Sequence, residues 1–246
     1  MDLTILKNKL DSYNFLELKE LCKKMEIPVK KSKLETLDFI KNTLQEYDNY
    51  KKSIEDKYSR KSQLGESGKE GITYLVVDLN GNEYAMKTFK KTKSHDNLRR
   101  EALLQIRAAE VGVAPTIIEY DTVSKFIVME KMDRNLLDII KKQNGELTKK
   151  QQNQIIRLFQ SLDECRVFHG DANPLNYMQK GKRLYLIDYG FSKDITPKFI
   201  KLHETETPNM KIMLLGLIIK LKELKCLPIS WEILIKYVSE EDRINL

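Results

Sequence analysis

The sequence predicts an α+β fold in two lobes, strands first and helices after, preceded by a small all-α helical hairpin. Three observations predict it. The first sixty residues are lysine-rich, lack glycine and repeat leucines at helical spacing; from Lys61 the pattern turns to β-formers with a hairpin signal; from Asn135 onward it is mostly helical. A run of strands followed by a run of helices separates the two kinds of element instead of alternating them as a parallel sheet would. Hydrophobic residues make up 41% of the 246, enough for a buried core. The expected boundaries are 1–45 for the helical module, 46–60 for a linker or solvated helix, 61–132 for the strand-rich lobe and 133–246 for a shortened helical lobe.

In the module, Leu16, Leu18, Leu21 and Met25 recur at helical spacing, and Ile27-Pro28-Val29 ends that pattern. Ser32 is placed to cap a second helix, with Glu35 three positions on as in a capping box. Leu34, Leu37, Ile40 and Leu44 give that helix an apolar face, and Gln45 to Arg60 is polar and charged. Ile72 to Leu79 is rich in β-formers, Asn80-Gly81 is a hairpin signal, and Glu83 to Phe89 is the returning strand. His95 to Val111 reads as a helix, followed by two more strands at Thr116 to Tyr120 and Lys125 to Glu130. Thr148 to Val167 is a long amphipathic helix, and Arg183 to Asp188 is the one β-rich interruption expected in the helical lobe.

A net charge of +7 with 32% charged residues favours anionic partners (nucleic acid, phosphate or acidic substrates) without choosing among them. The longest apolar run, Ile212 to Leu221, is too short to span a bilayer, so no membrane partner is expected. The start Met1-Asp2-Leu3-Thr4 lacks the layout of a signal peptide. Cys22, Cys165 and Cys226 are odd in number and far apart, which argues for reduced thiols inside a cell, in cytoplasm or nucleus. Cys22 and Cys165 fall in helical patterns and read as small core residues.

The chemistry is concentrated in His169-Gly170-Asp171-Ala172-Asn173-Pro174-Leu175-Asn176, and twelve residues later in Leu186-Ile187-Asp188-Tyr189-Gly190. Phosphoryl transfer asks little covalent work of a protein; it needs a metal clamp on the phosphates and a carboxylate that orients the attacking hydroxyl. An Asp and an Asn on one loop, with a second Asp at the end of an apolar strand, supply those parts, and hard oxygen donors of this kind suit Mg²⁺. Upstream, Leu64-Gly65-Glu66-Ser67-Gly68-Lys69-Glu70-Gly71 lies between two expected strands, where glycines let backbone N–H groups approach phosphate oxygens.

These motifs resemble the protein-kinase superfamily, whose catalytic loop reads H-x-D-x-x-x-x-N and whose metal loop reads D-F-G; Tyr189 replaces the phenylalanine here. The resemblance implies Asp171 as catalytic base, Asn176 as a metal ligand and Asp188 as the principal Mg²⁺ ligand. It implies that Gly65, Ser67, Gly68, Lys69 and Gly71 cradle the nucleotide. Lys87, in Ala85-Met86-Lys87, would contact the phosphates and pair with a glutamate on the next helix. Glu101 is the natural partner and Glu110 the competing one. Ile127-Val128-Met129-Glu130-Lys131-Met132 resembles the kinase hinge, with Met129 at the back of the adenine pocket and the Glu130 carbonyl and Met132 amide on adenine. The implied cofactors are ATP and Mg²⁺, with Mn²⁺ as an alternative ion. His169 is read as structural.

Three features are similar to small atypical kinases. Ser67-Gly68-Lys69-Glu70 resembles the S/T-G-K-E loop of the RIO family. Arg100-Glu101-Ala102 through Gly112-Val113-Ala114-Pro115, followed by Val128-Met129-Glu130, resembles the compact kinases related to that of the tRNA threonylcarbamoyl-modification complex. Tyr189 is similar to the D-Y-G of vaccinia-related kinases. The resemblance covers Lys61 to Ile219. Departures from larger kinases concern the substrate platform: 56 residues follow Gly190, no A-P-E is present, Asn173 stands where Ser/Thr kinases often have lysine, and Lys211 stands where D-x-W-x-x-G would place its aspartate. The His169-Gly170-Asp171-x-x-Pro174-x-Asn176 loop also resembles aminoglycoside and choline phosphotransferases, whose large C-terminal insertions have little room here. A pseudokinase scaffold is a third reading, opposed by the intact set Lys87, Asp171, Asn176 and Asp188.

Leu18-Lys19-Glu20-Leu21-Cys22-Lys23-Lys24, Ile27-Pro28-Val29 and Lys30-Lys31-Ser32-Lys33-Leu34-Glu35 resemble a SAP domain, a two-helix DNA-binding module, with Glu26 and Lys31 where glycines are usual. That resemblance implies phosphate contacts from Lys30, Lys31, Lys33 and Lys41; the other reading is a solvated lysine face that docks a protein. The combination is similar to proteins of large DNA viruses, which would place it at a viral replication site or in a virion. The resulting expectation is a serine/threonine-type kinase that uses Mg-ATP, acts on protein hydroxyls and is tethered to DNA by its first module.

Overall fold

The structure, a computed structural model, describes residues 3–224 and 231–244, and Cys226 lies outside them. The chain divides into two compact units, Met1–Ser59 and Arg60–Leu246.

The first unit is helical: α1 (Leu3–Lys9), α2 (Phe15–Met25) and α3 (Lys33–Lys57). Asn14 opens α2 with a full capping box: its side chain accepts from the N–H groups of Leu16 and Glu17, and the Glu17 carboxylate accepts from the Asn14 N–H at 2.7 Å. Glu26 ends the helix at φ 57, and the N–H groups of Ile27 and Glu26 reach back to the carbonyls of Cys22 and Lys23, a Schellman closure. Ser32 caps α3 by accepting from the Glu35 N–H at 3.2 Å; the return bond from Glu35 is not made among the described residues. The stretch 46–60, expected as a linker or solvated helix, continues α3 as far as Lys57.

Leu6, Leu10, Leu18, Leu21, Cys22, Leu37, Ile40 and Leu44 form the core of this unit. Leu16 and Leu34, expected on the apolar faces, are instead 67% and 68% exposed. Leu16 lies two residues from buried Leu18, and positions two apart on a helix do not share a face. Leu34 is in the opening turn of α3, a full turn before the first buried residue of that face, Leu37.

In the second unit a five-stranded sheet has the order β1-β2-β3-β5-β4, with β1 (Tyr58–Gln63), β2 (Gly71–Asp78), β3 (Glu83–Phe89), β4 (Ile117–Asp121) and β5 (Phe126–Glu130). The β2–β3 turn closes on Asp78, whose carboxylate accepts from the N–H groups of Asn80 and Asn82, with Gly81 at φ 84. Helix α4 (His95–Glu110) buries Leu98 and Ala102 against Ala85, Ile127 and Met129 of the sheet. Its N-terminus is capped by Ser94.

The following lobe contains β6 (Arg134–Asn135), α5 (Leu136–Lys142), α6 (Lys149–Glu164), β7 (Val167–Phe168), β8 (Tyr177–Lys180), β9 (Arg183–Leu186), β10 (Lys193–Asp194), α7 (Pro197–His203), α8 (Leu214–Glu223) and α9 (Glu240–Ile244). Helix α6 is the spine: Thr148 and Gln151 form a capping box, and Ile155, Ile156, Phe159 and Leu162 enter a core shared with Leu136, Tyr177, Leu186, Leu217 and Trp231. One β-rich interruption was expected here, but the described strands form two sheets, β6-β8-β9 and β7-β10. Strands of two to four residues are too short to carry an alternating apolar signal. Cys22 is buried in the first core, and Cys165 packs partly buried against the second. No described helix is long and apolar enough to cross a membrane.

Candidate active site

The loop 64–70 joins β1 to β2. Gly65 has φ 69, a conformation open to glycine at little cost, and the Gly68 N–H closes the loop onto the Gly71 carbonyl at 2.9 Å. Gly65, Ser67, Gly68 and Lys69 are exposed. Gly71 differs from them: it lies inside β2, and a Cβ there would stand 2.2 Å from the Thr88 carbonyl oxygen, so its glycine serves strand packing.

Lys87 projects from the centre of β3. Its ammonium donates to Glu101 Oε1 and to Asp188 Oδ1, each at 2.7 Å. Glu101 is 2% exposed on α4, whereas the competing Glu110 is exposed at the helix end. Burial by itself would depress the Lys87 ammonium, but the charges of Glu101 and Asp188 outweigh it and hold the group above the ordinary lysine value. Asp188 shows the mirror effect: burial would raise it, and Lys87 holds it below the usual carboxylate value.

Two further charges join this pair. Lys93, between β3 and α4, is 8% exposed and meets Glu101 Oε2 at 2.9 Å and Glu70 Oε2 at 2.6 Å. Glu101 Oε2 has this ion pair without an aligned hydrogen bond.

On the opposite side, the Asp171 carboxylate accepts from the Asn173 N–H at 3.0 Å and from Asn176 Nδ2 at 2.9 Å. The Asn173 side chain accepts from the Leu175 N–H, which shapes the turn carrying Asn176. The Ile187 N–H donates to the Asn176 carbonyl at 2.9 Å, so the residue before Asp188 is tied directly to Asn176. The Asp171–Asn176 pair therefore lies beside the strand end that carries Asp188. Asp188 has φ 67, an uncommon conformation for a residue with a Cβ. The Asn176 side-chain oxygen has no protein partner among the described residues, and with the Asp188 carboxylate it offers hard oxygen donors of the type a divalent cation takes. No cluster of three or more His, Cys, Asp or Glu placed for a metal occurs among the described residues; this donor set is instead carboxylates with an amide.

His169 is fully buried, and burial lowers its pKa against the pull of the Ile187 and Asp171 contacts. A neutral ring carries one proton. Placing it on Nε2 lets the ring donate to the Ile187 carbonyl at 3.0 Å and accept from the Asp171 N–H on Nδ1 at 3.4 Å. His169 thus braces both halves of the site. Gly170 has φ 80, and a Cβ there would lie 2.7 Å from the Phe191 carbonyl oxygen.

Sequence reasoning missed Asn209 and Asp163. Asn209 is fully buried in a π-helical turn, Asn209–Met213, that leads into α8. Its Oδ1 accepts from the His169 N–H at 3.1 Å, and its Nδ2 donates to the Val167 carbonyl at 2.8 Å and to Asp163 Oδ1 at 2.7 Å. Burial raises the Asp163 carboxyl, although Asn209 and Met210 donate to it. The motif places an aspartate at Lys211, but the polar residue turned toward the loop stands two positions earlier. A wider π turn changes which residues face inward, and a motif spaced for an α-helix does not register that.

At the hinge, Met129 is buried and contacted by Gln105, the Glu130 N–H donates to the Thr116 carbonyl, and the Met132 N–H has no partner among the described residues. In the first unit the Lys30 ammonium sits 3.9 Å above the Phe39 ring and Lys41 pairs with Asp11 at 2.5 Å, while Lys31 and Lys33 are exposed.

Residues 58–209, more than half of the chain, match the family described as protein kinase domain. The chain belongs to the protein kinase family. It is 28% identical over 151 residues to Cyclin-dependent kinase-like 1 of Caenorhabditis elegans, covering 57% of this chain and 42% of that one. It is 32% identical over 109 residues to KEOPS complex subunit Bud32 of Pyrococcus abyssi, covering 42% and 50%. It is 27% identical over 141 residues to a probable bifunctional tRNA threonylcarbamoyladenosine biosynthesis protein of Methanosarcina mazei, covering 56% and 24%. The chain spans half or less of the length of these curated relatives.

Proposed function

We propose that this kinase-family chain transfers the γ-phosphate of ATP to a protein hydroxyl, as a serine/threonine-type enzyme of the compact RIO and Bud32 kind. The carrying observation is the cluster Lys87, Glu101 and Asp188 on one side and the Asp171–Asn176 pair on the other, tied together by the Ile187 N–H to Asn176 carbonyl bond. Lys87, kept protonated by its two carboxylates, supplies a fixed positive charge for the phosphates. Asp171, held by Asn173 and Asn176, orients the acceptor hydroxyl and takes its proton. The exposed glycine loop approaches phosphate with backbone N–H groups, and the free Met132 N–H suits adenine. Asn176 and Asp188 would hold Mg²⁺, with Mn²⁺ as an alternative. A divalent ion bound there neutralises charge on the transferring group.

The similarity to the Bud32 protein, named as a subunit of a complex, favours a compact kinase that works with protein partners. The small-molecule alternative lacks a substrate-enclosing insertion among the described residues. Of the four lysines considered for DNA, Lys30 and Lys41 already have partners; two exposed lysines give only weak, salt-sensitive phosphate binding. The first unit therefore offers little to tether the chain to DNA. The D-Y-G spelling adds a buried ring, since Tyr189 packs edge-on against His169 at 4.9 Å.

The test is Asp171→Ala. Turnover should fall about 10²–10⁴-fold, the range for loss of a positioned general base, while ATP affinity measured by titration stays close to wild type. Unchanged turnover would remove Asp171 from the reaction.

A further inference from the structure

We propose that Lys93 is a positioning residue of the phosphate site, acting through Glu70 and Glu101; this deepens the kinase reading and rests on it. Five charged side chains alternate in sign along one path: Glu70, Lys93, Glu101, Lys87, Asp188. Each link is 2.6 to 2.9 Å. The path joins the glycine loop, α4, β3 and the metal loop, the elements that would surround a triphosphate.

Lys93 itself does not reach the phosphates, because its side chain is 6% exposed. A buried ammonium is costly unless it is paired, and here the pairing is complete, with one carboxylate from the loop and one from the helix. The backbone around it is also fixed. The Lys93 N–H donates to the Lys90 carbonyl at 3.0 Å, and the Lys93 carbonyl accepts from Lys125 Nζ at 2.6 Å. The Phe89 ring lies under both ammonium groups, 4.9 Å from Lys87 and 5.4 Å from Lys93.

Glu70 is the informative end. Its Oε2 lies so close to Gly190 that a Cβ there would be 2.7 Å away. A carboxylate thus sits next to the metal loop, one residue from the glycine loop's closing strand. Paired with Lys93 it pins the loop in place with its charge offset. Without Lys93, Glu70 and one oxygen of Glu101 become uncompensated negative charges beside Asp188, where the triphosphate must bind. Lys93 therefore sets both the position of the loop and the potential at the phosphates.

Steady-state kinetics of the full chain with Mg-ATP test this, using wild type, Lys93→Met, Lys93→Arg, Glu70→Gln and the Lys93→Met/Glu70→Gln double variant. We expect Lys93→Met to raise KM for ATP about tenfold, equal to about 1.4 kcal/mol, with a smaller change in kcat. Lys93→Arg should stay near wild type. Adding Glu70→Gln to Lys93→Met should recover part of the loss, because one uncompensated carboxylate is removed. A purely structural lysine would lower Tm, leave KM in place and show no such recovery. If Lys93→Met fails to fold, Glu70→Gln alone decides: it unpins the glycine loop while Lys93 keeps its pairing with Glu101, and should still raise KM. Wild type that transfers phosphate, with KM unchanged in Lys93→Met or Glu70→Gln, overturns the relay and leaves the kinase reading standing. Wild type that transfers nothing overturns both.

Discussion

Asn209 and Asp171 are both polar residues in or beside the catalytic loop, but they do different work. Asp171 is half-buried and in the proposed reaction faces the acceptor hydroxyl, whereas Asn209 is sealed inside and satisfies His169, Val167 and Asp163 at once. Asn209→Ala would take the amide away from the buried His169 N–H and the Val167 carbonyl, while Asp163 keeps the backbone N–H groups of residues 209 and 210. Each such orphan costs about 1–3 kcal/mol, so urea unfolding should show a loss of roughly 2 kcal/mol or more. A loss below about 1 kcal/mol would mean that water or repacking replaces the amide. At this scale the candidate residues of the proposed reaction were legible from the sequence and the bracing was not. Asp171, Asn176 and Asp188 sit at spacings fixed by one loop and one strand end. Asn209 acts across 40 residues of chain through a π turn, and Lys93 pairs with a loop 23 residues upstream. No local spacing encodes either contact.

Elements are governed by their ends as much as by their faces. Helix α2 stops at Glu26 in the left-handed region, where a side chain clashes with its own backbone and glycine does not. Glu26→Gly should stabilise the first unit by roughly 0.5–1 kcal/mol, after the extra entropy of glycine in the unfolded chain is deducted. Thermal unfolding of the full chain, with amide exchange in α2, checks this; slower exchange is expected, and faster exchange would show that the interactions of the Glu26 side chain outweigh the backbone strain. The same end explains what sequence patterns caught. Ser32 and the strands β2, β3 and β5 announce themselves through a cap and β-formers. The pairs β6-β8 and β7-β10 do not, because strands this short owe their existence to the loops they clamp around the site.

Over the whole molecule, acid sensitivity follows from the buried groups. His169 has a lowered folded pKa, so between that value and about 6.5, the ordinary value, the unfolded chain binds a proton that the native chain does not. Stability is then present above about pH 6.5 and is lost as pH falls toward the folded value. Asp163 has a raised folded pKa and acts in the opposite sense, recovering stability as pH falls through its folded value toward 3.8. Asp188 is depressed, so its contribution persists above 3.8 and is lost as pH falls through its folded value. The unfolding free energy of wild type in urea should be lower at pH 5.5 than at pH 7.5, by at most about 1.4 kcal/mol per pH unit for one proton. His169→Gln should flatten that slope, whatever it does to absolute stability; an equal slope in the variant would assign the effect elsewhere.

The two-lobed order of strands and helices was readable because the elements follow one another in sequence and each carries its own period. What binds them into a site is long-range: Lys87 reaches Asp188 across 101 residues. The most direct test is transfer of radiolabelled phosphate from ATP by wild type and by Asp188→Ala, each with and without Mg²⁺, after matched unfolding curves show both are folded. Wild type should incorporate label only with the metal, and Asp188→Ala should incorporate none; equal incorporation by the two proteins, or none by wild type, would contradict a phosphotransfer centre built on Lys87, Asp171, Asn176 and Asp188.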